Sequence, residues 1–75
     1  MEKTAESVLI SARENNEPVF VLRAKDQCSI LTLLRYEEAC KNIGCDRSHV
    51  DGIVNILNDF AYWRENHPEQ VKIPD

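Results

Sequence analysis

The stretch Ile43-Gly44-Cys45-Asp46-Arg47-Ser48-His49-Val50-Asp51-Gly52-Ile53 decides how this chain folds. Ile43 closes one apolar-periodic run and Val50 opens another, with Gly44 between them. A glycine at that point suits the left-handed residue just past a helix C-terminus, because it has no Cβ to clash. Ser48 followed by Asp51 is a capping-box pattern with Asp in place of the usual Glu, so Ser48 is the expected N-cap of the next helix. Beyond it, Val50, Ile53, Val54, Leu57, Phe60 and Ala61 keep helical spacing for three turns. Pro68 cannot continue a helix, so this one should end near Asn66. At 1.5 Å per residue its length is roughly 28 Å.

Working outward from this turn, Ile30, Leu33, Leu34, Cys40 and Ile43 predict a helix over about residues 27–43. Leu31 and Ala39 broaden its apolar stripe, which points to a central helix, and Asp26 is its expected N-cap. Ala5, Val8, Leu9 and Ala12 predict a first helix from Thr4, a suitable N-cap, to about Asn15. Asn15-Asn16-Glu17-Pro18 stops it, since Pro18 pushes Glu17 out of helical geometry. Between these helices, Val19-Phe20-Val21-Leu22 is short, β-branched and aromatic, and reads as a strand or extended arm. Its backbone groups need partners. Val71-Lys72-Ile73-Pro74 is the other extended candidate, and a partner chain is the alternative. The expected fold is mainly α: three helices with a short extended arm, or with residues 19–22 paired to 71–73. Residues 1–75 are read as a single small helical domain whose tail, 68–75, is either pinned or frayed.

Composition narrows the function classes. A 75-residue chain has one thin core and no room for a separate catalytic lobe. The hydrophobic fraction of 43% is that of a folded globule rather than a disordered segment. A net charge of −4 disfavours sequence-independent nucleic-acid binding, which needs Lys and Arg to displace phosphate counterions. No apolar run is long enough to span a membrane, and the acidic N-terminal residues do not read as a secretory signal. The odd cysteine count, Cys28, Cys40 and Cys45, argues for reduced thiols and a cytoplasmic location.

No catalytic constellation is visible, and the chain is read as not an enzyme. Phosphate loop, GxSxG and HExxH motifs are absent. Cys45 with His49 has thiol and base but no third orienting group. The same pair with Cys28 and Cys40 has the donor chemistry of a zinc site, but Cys28 and Cys40 sit at opposite ends of one helix, about 18 Å apart along its axis. Neither a metal nor another cofactor is therefore expected. Glu37-Glu38 reads as a solvated face. Phe60-Ala61-Tyr62-Trp63 covers more than one helix face: Trp63 is expected to cover the arm, and Tyr62 is either packed or an interface anchor. Tyr62 and Trp63 are the candidate protein-binding residues.

Two resemblances rest on these residues. Residues 39–53, with small Cys40 four before Gly44 and apolar Ala39, Ile43, Cys45, Val50 and Ile53, resemble a DNA-binding helix-turn-helix. That resemblance implies a recognition helix with Arg47, Ser48, Asp51, Gly52 and Asn55 towards the bases, and Arg35, Lys41 and Arg64 on phosphates. Asp46 and Asp51 depart from the pattern because they repel phosphates, and the helix is longer than a recognition helix. A plain αα-hairpin needs the same glycine and anchors for packing alone. The order VFVLRAKD (19–26), Trp63 and a closing Ile73-Pro74-Asp75 resembles small bacterial and phage proteins, which implies an accessory role and no particular activity. The expected function is thus a non-enzymatic protein-interaction module with a protein partner or a second copy of itself. A DNA-binding regulator using Arg47, Ser48 and Asn55 is the alternative.

Overall fold

The computed structural model describes residues 4–74. Three helices account for most of it: α1 (Ala5–Glu14), α2 (Ser29–Ile43) and α3 (Arg47–Asn66), followed by a single 3₁₀ turn at Pro68–Gln70. The mainly α, three-helix expectation is met.

α1 begins as its sequence prescribes. Thr4 Oγ1 accepts from the Ser7 backbone N–H at 3.1 Å, and Ser7 Oγ accepts from the Thr4 N–H at 3.0 Å, a reciprocal capping box that satisfies two orphan donors. Beyond its C-cap Asn15 stands Asn16, the one described non-glycine residue with positive φ (53°). The Glu17 N–H donates to the Ala12 carbonyl at 2.8 Å and the Asn16 N–H to that of Arg13 at 3.1 Å. Those two bonds form a Schellman closure, with Asn taking the place glycine usually fills.

α2 starts two residues later than Asp26 alone suggests. Asp26 Oδ1 accepts from the Cys28 N–H at 2.7 Å and the Asp26 carbonyl from the Ser29 N–H at 3.0 Å. Asp26 therefore shapes an Asx turn that leads into Ser29 instead of capping the helix directly. At the other end, Gly44 has φ 85°, and the Cys45 N–H donates to the Cys40 carbonyl at 3.0 Å. This is the Schellman motif its glycine anticipates.

α3 begins at Arg47, two residues before the start that a Ser48 cap implies. Asp46 occupies the N-cap and its side chain makes no capping bond. After Gly44 and Cys45 the chain passes through Asp46 (φ −53°, ψ 142°) and re-enters helix at Arg47, so Ser48 falls inside the first turn.

α2 packs against α3, and α3 against the 3₁₀ turn, while α1 packs on neither of the other helices. Ile53 of α3 and Cys40 of α2 are buried at the crossing; Ala12, buried on α1, is covered where the chain doubles back at Glu17. Ser29 is fully buried, its Oγ 3.4 Å from the Ala24 carbonyl. The C-terminal segment is pinned through Lys72: its N–H donates to the Lys25 carbonyl at 2.9 Å, and its carbonyl accepts from the Gln27 N–H at 2.8 Å. The tail's parallel bridge thus joins Lys72 to Asp26, four residues beyond Leu22, and not to residues 19–22. Among the described residues no helix is long and apolar enough to cross a membrane.

Candidate functional site

Three places on the molecule gather side chains with something to do: the α2–α3 turn, the end of α3, and the α1–arm face.

At the turn, the Schellman closure places Cys45 directly over Cys40, as the motif's usual side-chain contact does. The Cys45 thiol hydrogen-bonds Cys40, and that contact holds its proton and pushes its pKa above the ordinary thiol value, with desolvation adding to it. Tyr36, one turn before Cys40, is pushed up as well, again chiefly by a hydrogen bond to Cys40. The Tyr36 hydroxyl also lies 3.1 Å from His49 Nε2, with the two rings edge to face. Such a cluster keeps Cys45 protonated, the opposite of what a thiolate nucleophile needs. Replacing Cys40 with alanine should move the pH midpoint for alkylation of Cys45 downward, followed by mass spectrometry of the modified peptide. An unchanged midpoint would show that Cys40 does not hold the proton. The sign for folding is fixed too. The folded state grips this proton more tightly than the unfolded chain, so the stabilisation is complete below the unfolded thiol's pKa and is lost as pH rises through the folded value.

Arg47, Ser48 and Asn55, the candidate DNA contacts, are all exposed on α3. Arg47 shares a shallow cleft with Lys41, Glu37 and Asp51, so cations and carboxylates there neutralise one another. Lys41 lies 3.8 Å from Glu37, and Arg35 pairs with Glu38 at 3.3 Å, so two of the three phosphate-contact candidates already face acids on their own helix. Among the described residues no three His, Cys, Asp or Glu side chains converge as a metal site.

At the end of α3, Tyr62 and Trp63 take different roles. Trp63 is half-buried and borders a groove of about 330 Å³ with Leu22, Ala24 and Phe60, so its coverage of the arm reaches only the arm's last residue. Its ring stacks on His67, with centroids 4.5 Å apart and planes 19° off parallel. His67 Nδ1 lies 2.9 Å from the Trp63 carbonyl, which only accepts, so the proton sits on Nδ1. Tyr62 projects outward at 71% exposure and packs on nothing comparable.

The third place was not singled out in the sequence. Val8, Leu9 and Ile10 on α1 are each exposed, and so are Val19, Phe20 and Val21 on the arm, with Phe20 84% exposed. A groove of about 410 Å³ between α1 and the arm is lined by Val8, Ala12 and Val19, with Ser7, Ser11 and Glu17 beside them. The signal was present: Ile10 widens the apolar stripe of α1 beyond what one helix face needs, and three consecutive apolar residues on an arm cannot all point inward. Comparison with protein-family models, curated proteins and solved structures finds no match for this chain.

Proposed function

We propose that this protein is a non-enzymatic interaction module, a small accessory protein whose work is done by binding another protein surface. One observation carries the reading: large apolar side chains stand exposed on every helix and on the arm, while among the described hydrophobic residues only Ala12, Cys40 and Ile53 are buried. Val8 and Val19 face one groove between α1 and the arm, and exposed apolar patches mark interaction sites. Tyr62, exposed beside the Trp63–His67 stack, has the chemistry of an interface anchor. The acidic net charge and the self-neutralised cleft at Arg47 favour a protein partner over DNA. Three free thiols, two of them exposed, suit a reducing, cytoplasmic setting, and the resemblance to small bacterial and phage proteins suits an accessory role there.

The test is affinity capture of the tagged chain from its native cells, with mass spectrometry, alongside sedimentation of the pure protein. The expected result is a stoichiometric partner, or self-association, with heterologous capture weakened by Tyr62→Asp at unchanged helix content. A strictly monomeric protein that captures nothing sinks the reading. Retardation of duplex DNA that weakens by about 1–3 kcal/mol on Arg47→Ala would instead install the helix-turn-helix alternative.

A further inference from the structure

We propose that the α1–arm face is covered by a second copy of this chain, in a two-fold symmetric dimer. The proposal rests on the interaction-module reading and names its partner.

The overall dimensions come first. A folded monomer of 8.6 kDa is expected to expose about 4,700 Å². This chain exposes 6423 Å². Its radius of gyration is 13.8 Å, against about 11.3 Å for a compact domain of this length. The surplus surface is roughly 1,700 Å² per copy, or roughly 3,400 Å² across a pair, inside the range of obligate homodimer interfaces.

The surplus has a location. α1 is 10 residues long and packs on neither α2 nor α3. A helix that short is marginal in water without a covered apolar face, whatever its caps contribute. Its Val8, Leu9 and Ile10 are 47%, 39% and 45% exposed, and the neighbouring arm residues Val19, Phe20 and Val21 are 54%, 84% and 63% exposed. Residues 19–22 also make no backbone hydrogen bond among the described residues. The face therefore needs an occupant that supplies both apolar contact and backbone donors and acceptors.

A second copy supplies both. An extended arm can pair antiparallel with its own copy across a two-fold axis, which satisfies the backbone groups of both arms at once. Residues 8–12 and 18–22 carry no charged side chain. Glu17 also lines this groove, and an antiparallel pairing centred on Phe20 sets it opposite Arg23 of the second copy, so an isologous contact brings opposite charges together there. Residues 8–12 and 18–22 offer a strongly charged partner nothing to pair with; the cations Arg23, Lys25 and Lys72 gather beyond Val21 in a separate groove that also holds Asp26.

The experiment is sedimentation equilibrium of the full chain at micromolar concentration, with three variants. The wild type should run at twice the 8.6 kDa chain mass. Phe20→Asp, which buries a charge at the axis, should weaken the dimer on the order of 100-fold. Val21→Pro, which removes a backbone donor of the arm, should also shift the mass towards one copy. Ile73→Asp, an exposed apolar position on the tail, should leave the dimer intact. Isotope-filtered NMR on mixed labelled and unlabelled protein should show Phe20 protons near Val8 or Val21 methyls of the other copy. A wild-type monomer overturns the proposal, as does a dimer indifferent to both arm substitutions. In either case, capture of a different protein sensitive to Tyr62→Asp leaves the interaction-module reading standing, and a monomer that captures nothing ends both.

Discussion

Ile53→Ala should remove about 2–4 kcal/mol of stability, a large fraction of what a chain this size possesses. Ile53 is 4% exposed and faces α2 across the α2–α3 crossing, where Cys40 is the other buried apolar side chain. Val50, Leu57 and Phe60, on the same face of α3, are only half-buried, so they cannot close over the space a lost isoleucine leaves. Truncation therefore forfeits the transfer energy of three methyl-sized groups and leaves a cavity as well. Urea denaturation followed by helical circular dichroism, at fixed protein concentration because self-association shifts apparent stability, reads the change directly. Ile53→Val is the calibrating variant and should cost about 0.5–1.5 kcal/mol. A loss below that of the valine variant would place the stabilising core somewhere other than this crossing.

The existence and order of the helices were legible because hydrophobic periodicity is a local property. Thr4 announced its N-cap and Gly44 its left-handed turn, and both are found where expected. The helix starts were read less well, and for a reason visible in the residues. Asp26 and Ser48 are both good caps, but a cap signal marks only that the chain can turn into a helix nearby. Asp26 delays its helix by an Asx turn, and Ser48 is overtaken because the closure at Cys45 leaves Asp46 as the residue that re-enters the helix. The tail is similar. Its extended character was readable, whereas its register, with Lys72 on Lys25 and Gln27, depends on where α3 delivers the chain.

The candidate surface was less legible for a deeper reason. The apolar stripe of α1 has the same sequence whether it is covered by its own chain or by another, so periodicity marks a face to be buried without naming what buries it. Val8 and Leu9 read as core residues, and only the packing of α2 on α3 without α1 reveals them as surface. Trp63 was legible in part. A tryptophan late in the last helix had to cover something, and it borders Leu22 while leaving Val19 to Val21 in the open.

Gly44→Ala should cost about 1–2 kcal/mol, from backbone strain alone. Gly44 holds φ 85°, and a Cβ built there meets nothing within 4 Å. Steric crowding by neighbours is thus removed from the account, and what remains is the intrinsic penalty of a left-handed conformation for a residue with a side chain. The penalty matters here because the turn does more than end a helix. The Gly44 and Cys45 N–H groups satisfy carbonyls at the end of α2, and the same closure sets Cys45 over Cys40 and aims α3 back across α2. Asn tolerates left-handed geometry, as Asn16 does at the end of α1, so Gly44→Asn should lose less than Gly44→Ala. Gly44→Val should lose more than either, since a β-branched side chain suffers most at positive φ. Chemical denaturation should rank the three as Asn, Ala, Val in increasing cost. Alkylation of Cys45 should become easier in the same order as the closure loosens and the thiol separates from Cys40. If Ala proved as stable as Gly, the left-handed turn would not be what holds α2 and α3 together.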